Sequence, residues 1–535
     1  MVVRISERGA LKGYNPTVVM ASAGVAVALI AWAAIYSDQA GAALASVNQF
    51  VTESFGAWYL YAMFAFVLFC VVVALLPATG RQRLGKPDER PEFSNFSWIA
   101  MMFGAGIGMG VLTYSTAEPI FHFSTNPDVI NGLVEANTPE NVRPAMKWSV
   151  LHWGFSAWGC YALVGLSLAY FSFNKGLPLS MRSALYPLFG RALSGVVGHV
   201  VDVVAVLATI VGVAITIGYG VAQFSSGLFY ITDWDWVMTG DGRPALAAML
   251  ALLIVVMAIS TASAFSGVGK GIKWLADVNM ALSIFLLAFF LIFGPTLVEL
   301  KTLAMAISDY MTGFVTMATQ HFADDGSKRG KALADWQGGW TIFYWAWWIA
   351  FAPFVGMFLA RVSRGRTIRE YVLGAMLVPT LVCFCWFAFI GGTALNLEVT
   401  GQAGGRILEA DLSARLFATL DVMLGEWALV AMCAVVVVLL ITFLVTSAQS
   451  GILVIHTISS AGHIGERSGP HIAGWGLLIT AVIAVLLSVG GLDAINTAMT
   501  VGALPFSVVM VLMMVALAKA LIAGRGAGQA VSEFD

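Results

Sequence analysis

Residues 101–110 read Met101-Met102-Phe103-Gly104-Ala105-Gly106-Ile107-Gly108-Met109-Gly110, four alternating glycines inside an apolar run. Each glycine disfavours a helix by about 1 kcal/mol relative to alanine. The run therefore predicts a break in a helix long enough to cross a membrane. Carbonyls freed in lipid must line a cavity or meet a ligand. Close helix packing by small residues is the plain alternative, but packing usually spaces them by four, and alternation spreads these over several faces. A broken helix at mid-membrane is the usual construction of ion and substrate sites in secondary transporters. A dinucleotide-binding fingerprint is excluded, because no strand–helix–strand context surrounds these glycines.

The rest of the chain has the same character. Of 535 residues, 59% are AVILMFWYC and 11% are charged, and mean hydropathy is +0.85. Soluble domains carry about 25% charged residues. The composition excludes a soluble enzyme, a disordered chain and a disulfide scaffold, and predicts an all-α polytopic membrane protein. Apolar runs of about 20 residues place twelve transmembrane helices, called spans 1 to 12, at 17–36, 57–77, 98–122, 147–171, 200–230, 244–262, 276–296, 340–360, 371–392, 426–456, 472–489 and 493–521. A barrel would alternate polar and apolar positions, and these runs do not. Net charge is −2, so no basic excess points to nucleic acid. Basic residues favour the loops on the side of the N-terminus, most sharply Arg361, Arg364, Arg366 and Arg369. That asymmetry predicts both termini in the cytoplasm. Lys270 and Lys273 among Ile272, Leu275 and Val278 predict an amphipathic helix near 263–280 at the inner surface; an ordinary loop stays open as the alternative.

Several chemistries lack their parts. No Walker A, HExxH or GxSxG sequence occurs, so ATP-driven transport, proteolysis and lipolysis are not expected, and the chain is not expected to be an enzyme. Cys383 and Cys385 stand alone between Phe384 and Trp386, without the further ligands a zinc site needs. The few interior carboxylates, Glu118, Asp202 and Asp277, do not form the chain of a proton pump. A coupling ion would be held by neutral oxygens.

Aromatic residues supply a second signal. Trp336, Trp340, Trp345, Trp347 and Trp348 crowd one segment. Trp336 and Trp340, at its end, read as interface-belt residues. Tyr344 and Trp348 share a helix face, as do Trp348 and Phe351. On span 4, Trp153, Trp158 and Tyr161 fit one arc of about 140°. Two such arcs on different helices could form a cage for a quaternary ammonium group, worth about 2 kcal/mol or more when desolvated. Packing or lipid-facing aromatics are the alternative reading.

The stretch from Gly338-Gly339-Trp340-Thr341-Ile342-Phe343-Tyr344-Trp345-Ala346-Trp347-Trp348 to Arg361-Val362-Ser363-Arg364-Gly365-Arg366-Thr367-Ile368-Arg369-Glu370 resembles the signature of the betaine/carnitine/choline transporter family. Met101 to Pro119, ending Thr116-Ala117-Glu118-Pro119, resembles that family's glycine-rich third helix. The resemblance implies two peripheral helices and an inverted 5+5 helix repeat of the sodium/amino-acid symporter type. The chain would divide into 1–97 (cytoplasmic N-terminus and peripheral helices), 98–297 (first repeat, with the amphipathic helix) and 298–535 (outer loop, second repeat and short C-terminal tail). It implies a homotrimer in the inner membrane of a bacterium, carrying a small zwitterionic or cationic osmolyte of the glycine betaine, choline or dimethylsulfoniopropionate type. Members are mostly symporters and some are exchangers.

Carried over by motif, the substrate cage is Trp153, Trp158, Tyr161 and Trp348, with Ala105, Gly106 and Gly108 beside the substrate. The coupling sodium ion is implied at the carbonyls of Gly104 and Ile107 and at Phe443, Thr446 and Ser447, the Phe-x-x-Thr-Ser group of span 10. A second sodium site is implied at Thr209 and Phe354, but Val213 stands where a second threonine is expected. Phe351 replaces a tryptophan of betaine symporters. Sodium-independent carnitine exchangers carry an arginine in span 5; nothing basic lies between His199 and Asp233, which favours sodium coupling. Gly110 stands where a carboxylate could serve proton coupling.

Overall fold

A computed structural model describes residues 3–106, 108–266, 269–462 and 469–526. Among the described residues the β pairing is limited to isolated bridges, such as Arg83 with Thr367. Ten helices among the described residues are long and apolar enough to cross a membrane. The two other expected spans come from two breaks in regular structure. Span 3 is two short helices, Asn95–Gly106 and Met109–Ser124. Spans 11 and 12 share Gly469–Gly526, divided at Gly490 and Gly491. Gly491 has φ 62°, a left-handed conformation that favours glycine.

The remaining spans overlap the predicted apolar runs, although the helix of span 2 begins twenty residues before its run, at Ser37. Spans 1 and 2 are Pro16–Ile35 and Ser37–Leu75. Span 4 is Val142–Trp153 followed by Phe155–Ala169, span 5 is Val196–Thr232, span 6 is Leu246–Ser266 and span 7 is Gly269–Phe293. Span 8 is Phe343–Val362, preceded by a π-helical turn at Gly338–Ile342. Span 9 is Ile368–Trp386, carried through a second π-helical turn, Phe387–Gly391, to Val399. Span 10 is Glu426–Ser459.

Spans 4 and 8 are the most enclosed, and span 1 and span 7 the least. A helix apolar all round belongs in a core or against lipid, and here burial separates the two. Spans 4 and 8 pack along each other, and span 5 packs on spans 8, 10 and 11–12. Glycines set the closest approach. A Cβ on Gly165 would stand 2.9 Å from the Gly356 carbonyl. Small residues let membrane helices meet backbone to backbone.

The amphipathic helix expected near 263–280 takes another form. Gly269–Phe293 is one continuous helix, so the Lys270–Val278 stretch begins span 7; residues 267 and 268 lie outside the described residues. A separate surface helix follows instead at Thr296–Thr319, with Glu299, Tyr310 and Phe314 buried and Leu297, Met311 and Val315 exposed. Its charges are spread over its length, which hides its sidedness from a search for basic stripes. Asp202, one of the interior carboxylates, is neutralised by Arg182 at 2.7 Å, both fully buried.

Candidate functional site

The break in span 3 lies where the glycines predict it. Gly108 is extended (φ −159°, ψ −179°) between the two helices, with open space where a Cβ would stand. Gly104 is exposed. The side chain of Ala105, the surroundings of Gly106 and all of Ile107 lie outside what is described. Two residues on from Gly108, Gly110 has a different role. A Cβ there would come 3.0 Å from Cη2 of Trp153 and 3.1 Å from Cη2 of Trp347. This glycine lets the helix touch the aromatic cluster, and a side chain there would press on both indoles.

A second break was not anticipated. Span 4 is interrupted at Gly154 (φ −94°, ψ −144°), immediately after Trp153. Interrupting a helix in an apolar interior frees polar groups that must be paired. The amide of Phe155 donates to the Tyr310 hydroxyl at 2.5 Å. The carbonyl of His152 accepts from Trp348 Nε1 at 2.9 Å, and that of Trp153 from Trp158 Nε1 at 3.2 Å. The indoles of two expected cage residues are therefore aimed by the break itself.

The structure brings the four cage residues together. Ring centroids lie 4.9 Å apart for Trp153 and Trp348, 6.1 Å for Tyr161 and Trp348, and 5.5 Å for Trp158 and Tyr161. The interplanar angles are 74°, 80° and 73°. All four rings are buried. The N–H groups of the three indoles all meet protein acceptors, so what these indoles have left to offer is their π faces. Phe387, in the π-helical turn of span 9, adds a ring 5.5 Å from Trp153. Such turns often mark functional positions.

Behind Trp153 stands a polar group whose importance composition did not reveal. Glu118 is fully buried. Its Oε2 accepts from Trp153 Nε1 at 2.8 Å and from the Tyr344 hydroxyl at 2.6 Å. Its Oε1 is 2.5 Å from Nδ1 of His152, whose Nε2 is 3.0 Å from Thr341 Oγ1. His122 Nε2 is 3.3 Å from the same carboxylate. Glu118, His122 and His152 are metal-ligand types in one cluster. Two donors at about 2.0–2.1 Å from a tetrahedral zinc ion would sit about 3.3 Å apart, and the 2.5 Å contact is too short for that. The cluster is a hydrogen-bonded network. Trp336 and Trp340, expected at the interface belt, are buried instead, with centroids 5.4 and 4.8 Å from His122. They cover the network from its His122 side.

The ion residues are placed less completely. Phe443, Thr446 and Ser447 share one face of span 10 by their spacing. The Thr446 hydroxyl donates to its own helix, to the carbonyls of Thr442 at 2.8 Å and Phe443 at 3.0 Å. Thr209 likewise donates to Ala205, at 2.7 Å. Phe354 is half-buried and meets Phe351 edge to face at 4.9 Å. Val213 fills the space beside Gly451, where a Cβ would be 2.4 Å from its Cγ2. Its apolar volume is used in packing spans 5 and 10.

Comparison with known proteins supplies the family. A family model described as betaine/carnitine/choline family transporter matches residues 17–525. The glycine betaine transporter OpuD of Bacillus subtilis is 38% identical over 93% of this chain and 92% of its own length. A probable glycine betaine transporter of Desulfitobacterium hafniense is 38% identical over 94% of this chain and 97% of its own. The high-affinity choline transport protein of Escherichia coli K12 is 36% identical over 95% of this chain and 72% of its own. With a match along almost its full length and an aromatic cluster between spans 4 and 8, the chain belongs to the betaine/carnitine/choline family of transporters.

Proposed function

We propose that this protein imports a small quaternary-ammonium or sulfonium osmolyte across a bacterial inner membrane by sodium symport. Glycine betaine is the first candidate, with choline and dimethylsulfoniopropionate next. The observation that carries the reading is the cage of Trp153, Trp158, Tyr161 and Trp348, whose N–H groups are already bonded and whose rings cross at steep angles. A trimethylammonium or dimethylsulfonium head has no N–H or O–H to donate. It is a diffuse cation, suited to aromatic faces rather than to hydrogen-bond acceptors. The names of the relatives, which specify glycine betaine and choline, support the same substrate class.

The cationic head would replace water among the four rings, beside the broken span 3. Hydroxyl and carbonyl oxygens suit a hard cation such as sodium. Sodium at Thr446, Ser447 and the carbonyls of Gly104 and Ile107 would fix the freed half of span 3 and so strengthen substrate binding. Rocking of one helix bundle would then alternate access. Val213 argues for one sodium ion rather than two. The working form is a homotrimer with both termini in the cytoplasm.

The test is uptake of labelled glycine betaine into proteoliposomes with an inward sodium gradient, against a potassium control. Sodium-driven accumulation is expected. Uptake that needs internal substrate and ignores sodium would replace symport with exchange of the carnitine type. Uptake of sulfonium compounds alone would change only the substrate.

A further inference from the structure

The cage in the proposed function explains how a cation is accepted, but aromatic walls alone also accept neutral groups of the same shape. Glu118 supplies what the rings lack. Among the described residues its ion-pair partners are two histidines. The nearby guanidinium of Arg415 donates to the Ala117 carbonyl at 2.7 Å rather than to this carboxylate. Trp153 is bonded to it through a donor-only N–H, and the Tyr344 hydroxyl and His152 Nδ1 can both donate as well. Where Trp153, Tyr344 and His152 all donate, their bonds favour the charged carboxylate against the cost of burying it. In that arrangement His152 carries its proton on Nδ1 and accepts from Thr341 on Nε2, the neutral imidazole, which adds no positive charge beside the carboxylate.

We propose that Glu118 is a positioning residue that, through Trp153, makes the cage prefer a ligand with fixed positive charge over a neutral one of the same shape. The inference rests on the transport reading above. Two effects act together. The bond to Trp153 Nε1 fixes the indole plane against Trp348 and draws electron density onto its face, which strengthens cation–π attraction. The buried charge also acts directly, since a low-dielectric interior screens it weakly.

The experiment uses purified full-length protein with sodium present. Labelled choline binding is measured, and it is competed with unlabelled choline and with 3,3-dimethyl-1-butanol, in which carbon replaces the ammonium nitrogen. In Glu118→Gln the affinity for choline should fall about tenfold while that for the neutral alcohol stays within about twofold. Equal losses for both ligands, or none, would show a purely structural role and overturn the proposal. Should Glu118→Gln fail to fold, Tyr344→Phe decides. It keeps the ring and removes one donor from the carboxylate, so the preference for choline should rise by about two- to threefold. An unchanged ratio there overturns the proposal. Wild-type protein that binds neither choline nor glycine betaine would overturn the transport reading, and this inference with it. Wild-type binding with an unaltered ratio in the variants overturns this inference alone.

Discussion

Spans 3 and 4 are both broken in mid-course, and the two breaks are unlike. At Gly154 the Phe155 amide and the His152 and Trp153 carbonyls meet protein partners, and a Cβ would strike Tyr310 at 2.3 Å. At Gly108 the backbone is extended and a Cβ would meet nothing within 4 Å. A break whose polar groups are paired within the protein is architecture. It fixes Trp153, Trp158 and Trp348 in place. A break with open space beside it leaves backbone for an ion or substrate to use. The structure thus sets a closed, internally bonded break on span 4 beside an open one on span 3.

The largest expected effect breaks this comparison directly. Gly154→Ala should abolish uptake and lower the melting temperature, since an overpacked buried site costs about 1–3 kcal/mol. Gly108→Ala, in an extended conformation open to any residue, should keep uptake within about threefold. Equal losses from the two would erase the distinction. Next, Trp348→Leu should raise KM for every quaternary-ammonium substrate by about thirtyfold, about 2 kcal/mol of lost cation–π attraction. Trp348→Phe keeps a ring but orphans the His152 carbonyl, and a rise of about tenfold is expected. Uptake kinetics with unchanged KM in both would sink the cage assignment.

A third test concerns the open side. Thr446→Ala should raise the sodium concentration for half-maximal uptake about tenfold while leaving sodium-free choline binding unchanged. No shift in sodium dependence would remove Thr446 from the ion site. The smallest effect lies outside both breaks, at Glu299 on the surface helix. Burial pushes its carboxyl up to about 7, against one hydrogen bond from Thr393 at 2.5 Å that favours the charged form. The folded state therefore holds this proton to higher pH than the unfolded state does. Its stability should be greatest below about pH 4.5 and fall as pH rises towards 7, by an amount of order 1–3 kcal/mol. Thermal melting in detergent from pH 5 to 8 should show that decline in wild type and a flatter profile in Glu299→Gln. A decline of equal size in the variant would assign it to other groups.

Much of the architecture was legible because a membrane interior is a demanding solvent. Apolar length alone places the spans, and glycine's backbone freedom announces the break at 104–110. The cage residues were legible by helical arc and by motif. Gly154 was not, since one glycine in an apolar run is indistinguishable from a packing contact. The sequence His152-Trp153-Gly154 held a usable signal, a polar and an aromatic side chain just before the residue that frees their carbonyls. Trp336 and Trp340 were misread because belt and core tryptophans have the same composition and differ only in what faces them. The surface helix Thr296–Thr319 escaped because its polarity is defined by which side meets span 4 and span 9.

The sequence by itself determined what must hold along one chain: twelve apolar crossings, a helix that cannot stay continuous at its glycines, and aromatic arcs on spans 4 and 8. Those follow from local hydropathy, propensity and periodicity. Only the tertiary structure decided which polar groups are satisfied and by whom. Glu118 and Trp153 are 35 residues apart, and Trp348 and the His152 carbonyl are 196 apart. A hydrogen bond has a range of about 3 Å, so pairings over such separations exist only once the spans have packed.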